Sequence, residues 1–170
     1  MCSKAMNKTL INNQGFSIIE VLSVIAIITM GMLGLLSLST QSIRYQYINK
    51  NNLIASQLAQ EGIEGVRNVR DNNWKNGATW NADFDINNGH YNWDIDNRNL
   101  VQQPVLLPMK INPATGLYNL NAGDDSVFSR DIIISDVTAS STRVTVDVNY
   151  SEGQNNKVYS AETILYNWRQ

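Results

Sequence analysis

A single carboxylate, Glu20, stands near the start of an otherwise apolar stretch, FSIIEVLSVIAIITMGMLGLLSLST, residues 16–40. On insertion scales an acidic side chain in hydrocarbon costs about 2.5–3.5 kcal/mol, so such a residue points to function and needs a cationic partner. No lysine or arginine lies between Lys8 and Arg44. Hydrolysis of the Gly15–Phe16 peptide bond would create one, because it leaves an ammonium on Phe16, four residues from Glu20. Four residues are about one helical turn. Within one helix the two groups then sit one turn apart. Between neighbouring helices offset along a bundle axis, the ammonium of one copy meets Glu20 of another. Such pairing sets axial register, as a buried polar residue does in a coiled coil, at some cost in stability.

The elements around these residues are legible from charge and hydropathy. Residues 21–38 carry no charge, and 18 residues at 1.5 Å each rise about 27 Å, close to the hydrocarbon thickness of a bilayer. Lys4 and Lys8 precede this run and hold the leader in the cytoplasm by the positive-inside bias, which places the rest of the chain on the far side. A secretory signal peptide is the competing expectation, with Ser37-Leu38-Ser39 as a weak small-x-small site ahead of Thr40. The apolar run is longer than an ordinary signal core, and Glu20 falls inside its first turn.

Little else in the chain has the means for catalysis. Cys2 and His90 are the only cysteine and histidine among 170 residues, which excludes an internal disulfide and most zinc and nucleophile constellations. No cofactor is expected. The nearest approach to a metal site is Asp83, Asp85, Asn87 and Asp94, at the first, third, fifth and twelfth places of an EF-hand-like loop with oxygen ligands for calcium. Gly89 arrives one place late and Asp94 stands where a bidentate glutamate belongs, so a solvated loop competes with calcium here and at Asp124-Asp125. Tyr91, Trp93, Trp74 and Trp80 are either a sugar-binding surface or core, and strand spacing favours core. Charged residues are 16% of the chain and the net charge is −2. Arg67, Arg70, Arg98, Lys110, Arg130 and Arg143 are scattered rather than striped, so no nucleic-acid partner is expected.

Gly15-Phe16-Ser17-Ile18-Ile19-Glu20, followed by the apolar run, resembles the prepilin cleavage and methylation motif of type IV pilins and pseudopilins. The resemblance implies that a prepilin peptidase cuts between Gly15 and Phe16 and then N-methylates Phe16. It implies too that Gly15 is required because a larger side chain would not fit the enzyme, and that Glu20 is the assembly residue. Many pilins place a proline about two-thirds along this helix. Ser37 stands there instead, and Gly31 and Gly34 supply local softness. The stretch QLAQEGIEGVRNVRDNNW, residues 57–74, and the close at Asn167-Trp168 also look like minor pilins of the type IV pilus modification sort.

Beyond residue 38 the helical pattern continues. Ile43, Tyr47, Ile54, Leu58, Val66 and Val69 form one apolar stripe, opposite Arg44, Asn49, Lys50, Gln57, Gln60, Glu64 and Arg67. The expected helix runs from Phe16 to Arg70, with Gly62 and Gly65 permitting close packing, and Asp71-Asn72-Asn73 ends it. The remainder alternates as strands do. Trp80, Ala82, Phe84 and Ile86 and then Tyr91, Trp93 and Ile95 predict a hairpin across Asn88-Gly89. Pro104, Pro108 and Pro113 leave short extended pieces at 105–107 and 117–120. Residues 127–135, 143–150 and 157–166 read as an antiparallel meander with Val144, Val146, Val148 and Tyr150 facing the helix.

The expected fold is therefore α+β and pilin-like, with a long N-terminal helix, transmembrane in its first half and amphipathic in its second, packed on an antiparallel β-sheet head. The expected divisions are a cleaved leader at 1–15, an assembly and transmembrane segment at 16–38, an amphipathic segment at 39–70 and an extracytoplasmic head at 71–170. The resemblance implies a structural subunit, not an enzyme: a minor pilin or pseudopilin whose partners are other pilin subunits, the prepilin peptidase and methyltransferase, and the inner membrane. It would begin as a single-pass inner-membrane protein and end in a fibre at the cell surface. A pseudopilin of a type II secretion or competence system, or a membrane-anchored extracellular binding module, are the alternatives.

Overall fold

The computed structural model describes residues 15–84, 89–103, 105–153 and 155–168. It is α+β, one long helix α1 (Ile18–Lys75) and eight strands, with the chain dividing into two compact units, Met1–Tyr45 and Gln46–Gln170.

In the first unit every described side chain is exposed. Three hydroxyls of this apolar helix are satisfied on the helix itself. Ser23, Thr29 and Thr40 donate to the carbonyls of Glu20, Ala26 and Ser37 at 2.8, 2.9 and 2.9 Å. A hydroxyl paired in this way does not need water. The helix continues without a break through Ser37, where the resembling proteins carry proline.

In the second unit α1 buries Asn51, Ala55, Leu58, Ala59, Gly62, Gly65, Val66, Val69 and Asn73. Steps of three and four keep these on one face. Of the expected stripe, Leu58, Val66 and Val69 are buried and Ile54 is half-buried, whereas Ile43 and Tyr47 are exposed. Small residues take the inner positions instead. A Cβ on Gly62 would lie 3.0 Å from Val146, and one on Gly65 would lie 2.5 Å from the Trp93 ring, so helix and sheet meet at a distance only glycine permits. The helix runs past Arg70 to Lys75 and ends in a Schellman motif: Ala78 N–H donates to the Asn73 carbonyl, and Gly77 N–H to that of Trp74, at 2.9 and 3.3 Å. Gly77 supplies the left-handed turn at φ +71°.

The main sheet has the order β2-β1-β6-β7-β8, all antiparallel, from β1 (Gly89–Asp94), β2 (Asn99–Gln102), β6 (Phe128–Ser135), β7 (Ser141–Glu152) and β8 (Asn155–Tyr166). The C-terminal meander forms as expected. Val144, Val146 and Val148 are fully buried and Tyr150 nearly so, while the residues between them are half-exposed. A smaller sheet, β4-β3-β5, joins β3 (Lys110–Ile111), β4 (Tyr118–Asn119) and β5 (Asp124–Asp125). Its turn needs Gly123, at φ +121°, where a Cβ would strike the Ile111 carbonyl oxygen at 2.2 Å.

Two strand expectations fail. The described part of the first arm expected for the Asn88-Gly89 hairpin is not a strand: 80–84 is a series of turns, β1 pairs with β2 and β6, and 85–88 lie outside the described residues. Trp80 and Phe84, which alternate like strand residues, are an edge-to-face pair with centroids 6.0 Å apart, both buried. Residues 105–107 are not a strand, and Val105, Leu106 and Leu107 are exposed.

Candidate processing and assembly site

Residues 15–17 precede the helix. Ser17 is the N-cap residue, for its carbonyl accepts the first helical bonds, from Glu20 N–H at 3.0 Å and Val21 N–H at 3.2 Å. Glu20 is consequently the third residue of the helix, in the turn where the helix dipole favours an anion. The Gly15–Phe16 bond lies outside the helix, with the Phe16 side chain 81% exposed. A Cβ built on Gly15 meets nothing within 4 Å, so nothing in the described chain demands glycine there. A demand for glycine would have to come from whatever handles the bond.

Behind this site α1 holds an 18-residue window of mean hydropathy 2.4 with no part of it buried, long and apolar enough to cross a membrane. Ile18, Ile19, Ile27, Met30, Leu33, Leu35, Leu36 and Leu38 are each more than three-fifths exposed. Chemically the segment offers a peptide bond in accessible backbone, one acid a turn beyond it, and a rod of unpartnered apolar surface.

The other candidates fall elsewhere. Asp94 is buried, and both carboxylate oxygens are taken by N–H donors: Asp96 and Asn97 backbone amides at 2.9 and 3.2 Å on one, Asn97 and Asn121 side-chain amides at 2.8 and 3.1 Å on the other. Burial alone would raise its pKa, but these hydrogen bonds, led by that from the Asn97 side chain, outweigh it and bring the carboxyl below the ordinary value. Asp94 thus anchors the turn from β1 to β2, in which Arg98 takes φ 53°. Asp83 is exposed in a cleft that it shares with Arg98, a cation. Asp85 and Asn87 lie outside the described residues, as does the leader through Gln14. Asp124 and Asp125 are exposed on β5, where Lys110 pairs with Asp125 at 3.2 Å. Among the described residues no three His, Cys, Asp or Glu side chains gather as metal ligands do.

His90 Nδ1 lies 2.9 Å from Asp131 on an exposed surface. Tyr91, Trp93 and Trp80 are core. Trp74 is half-buried; Trp168 packs edge-on against it at 4.9 Å, and Trp74 Nε1–H donates to Asn167 Oδ1 at 3.3 Å. The 57–74 stretch and Asn167-Trp168 therefore touch.

Sequence reasoning counted Arg130 only among the scattered basic residues, yet it is 1% exposed. Its guanidinium donates to Asn92 Oδ1 at 2.8 Å, the Leu58 carbonyl at 3.1 Å and the Trp93 carbonyl at 2.9 Å, and lies 3.5 Å from Glu61. Burial pulls its pKa down while Glu61 pulls it back. This network ties α1 to β1 and β6. The signal was its parity, since Arg130 shares the inward phase of Phe128, Ile132 and Ile134.

No curated protein and no solved structure matches this chain. Residues 10–36 match the family model of the prokaryotic N-terminal methylation motif, a stretch that includes Gly15, Phe16, Glu20 and most of the apolar run. That motif is the prepilin signal of the type IV pilin kind, and it marks the chain as having the N-terminus of a pilin-like or pseudopilin precursor.

Proposed function

We propose that this protein is a structural fibre subunit, a minor pilin or pseudopilin. It is made as a precursor held across the inner membrane by the apolar part of α1, cut after Gly15 and N-methylated on Phe16. It then leaves the bilayer for a fibre in which neighbouring helices replace lipid around that segment. The observation that carries this reading is the coincidence of the methylation motif at 10–36 with a helix whose described residues up to Tyr45 are all exposed. Apolar surface left in water costs about 25 cal/mol per Å², so such a helix requires lipid or other copies. Glu20 is tolerable in either place only if paired, and the Phe16 ammonium of a neighbour supplies the pair.

The test is incorporation. In cells carrying the cognate machinery, wild-type protein should appear in fibres sheared from the surface, or in the pseudopilus when that apparatus is overproduced. Glu20→Ala should be processed and stay in the membrane fraction. Equal incorporation of Glu20→Ala would leave α1 as a mere tether, and an anchored extracellular binding module would then be the better account.

A further inference from the structure

We infer that the cleft between Asp83 and Arg98, beside the C-terminal end of α1, is a binding site for a neutral saccharide. It measures about 400 Å³, inside the roughly 300–1,000 Å³ of small-molecule sites. Three stretches distant in sequence wall it. The last turns of α1 give Asn72 and Asn73, the turns at 80–84 give Asp83, and Arg98 and Asn99 come from the passage of β1 into β2. Val69 and Leu100 add apolar surface. All of these residues belong to the unit Gln46–Gln170, so the site stands whether or not α1 assembles into a fibre.

What these groups lack is partners. Among the described residues the side chains of Asp83, Arg98 and Asn99 make no hydrogen bond or ion pair, so opposite charges share the cleft without meeting. Asn72 and Asn73 commit only their N–H ends, Asn72 Nδ2 to Asn68 Oδ1 at 2.9 Å and Asn73 Nδ2 to the Trp80 carbonyl at 3.3 Å. Asn73 is 9% exposed, and its Oδ1, which no described donor reaches, is open to solvent. A nearly buried acceptor in that state calls for a donor from outside the chain. The free groups are thus mainly acceptors, the Asp83 carboxylate and the amide oxygens, set against the Arg98 guanidinium, which only donates. Hydroxyls answer both kinds, since each donates and accepts. Neighbouring hydroxyls of one sugar ring can serve the carboxylate and the guanidinium together, while the C–H face of the ring lies on Val69 and Leu100. A metal ion is repelled by Arg98 and an anion by Asp83. Arg98 is also held in place: it takes φ 53° in a turn that Asp94 fixes through the Asp96 and Asn97 amides.

The experiment is isothermal titration of the full-length protein, in a zwitterionic detergent free of sugar, with maltose, lactose and N,N′-diacetylchitobiose at millimolar concentration. Saturable binding of at least one is expected. Arg98→Gly should weaken it about tenfold, the effect of losing one hydrogen bond to a charged group. The fold should not suffer, because glycine takes a positive φ freely, and a thermal unfolding curve checks this. Asp83→Ala should weaken binding to a similar degree, whereas Lys157→Ala, on the edge strand β8, should bind as wild type does. No saturable binding of any of the three sugars would overturn the inference. So would Arg98→Gly and Asp83→Ala proteins that bind like wild type. Saturation by glycine or triglycine in place of the sugars would overturn it too, and would make the cleft a site for a zwitterion or a peptide. Each of these results leaves the processing after Gly15 and the assembly through α1 untouched.

Discussion

One helix lives under two regimes. Between Ile18 and Tyr45 every α1 side chain is exposed and most are large and apolar, while from Gln46 to Lys75 the helix buries a single face, made of small residues, two asparagines, Leu58, Val66 and Val69, beneath a sheet. The difference teaches what each stretch needs. The second has its partners in the chain: Val146 against Gly62, Trp93 against Gly65, Arg130 against the Leu58 carbonyl. The first buries no side chain among the described residues of its unit, and the hydroxyls of Ser23, Thr29 and Thr40 are paired internally. Stability should therefore respond to substitution in the second region, and localisation and assembly to substitution in the first.

The largest effect on stability is expected at Arg130. Arg130→Met would leave Glu61, Asn92 and two carbonyls facing an apolar side chain, and breaking a buried pair from one side costs about 3–5 kcal/mol. Denaturant unfolding of the full-length protein in detergent measures it, and a loss below 1 kcal/mol would mean the network is incidental. Gly65→Ala comes next, because its Cβ would lie 2.5 Å from the Trp93 ring and overpacking costs about 1–3 kcal/mol. The matched control is Gly34→Ala, whose Cβ meets nothing within 4 Å. It should leave head unfolding unchanged, and equal effects at the two glycines would erase the contrast between regions.

Asp94→Asn should cost about 2 kcal/mol, since hydrogen bonds to a charged acceptor contribute about 1.5–3 kcal/mol. The native pKa of Asp94 lies below the usual carboxylate value. Its contribution is thus complete above the unfolded pKa of about 3.9 and is lost as pH falls through the native value. Wild-type unfolding free energy should accordingly decline on acidification more steeply than that of Asp94→Asn, and parallel curves would contradict the assignment. The smallest effect on stability is expected at Glu20: Glu20→Gln should shift head unfolding by less than about 0.5 kcal/mol while removing the protein from fibres.

What was legible in the sequence followed the strength of its periodicity. The meander of β6 to β8 is written as Val-x-Val-x-Val and Ile-x-Ile, and one buried face per strand makes alternation a sufficient guide. In β1 it was not sufficient. Tyr91, Asn92, Trp93 and Asp94 are all buried, because Asn92 is held by Arg130 on one side and Gln103 on the other, while Asp94 is enclosed by its turn. Strand β2, only four residues long, gave no signal strong enough to displace the Asn88-Gly89 hairpin. On α1 the buried face joins Leu58, Val66 and Val69 to Ala, Gly and Asn, so a search for bulk found those three, missed the small and polar positions, and placed the exposed Ile43 and Tyr47 on it. The proposed processing site is read from the sequence without the fold. Six consecutive residues and the charge pattern around them carry it, and the structure adds where the helix begins.

The central proposal is that a single cut after Gly15 removes the leader and leaves both regions of α1 on one chain, and intact mass with N-terminal sequencing of the protein expressed with a prepilin peptidase tests it most directly. The account predicts a chain that begins at N-methylated Phe16 and retains the whole of α1. A chain that begins at Thr40, or one left uncut, would contradict it.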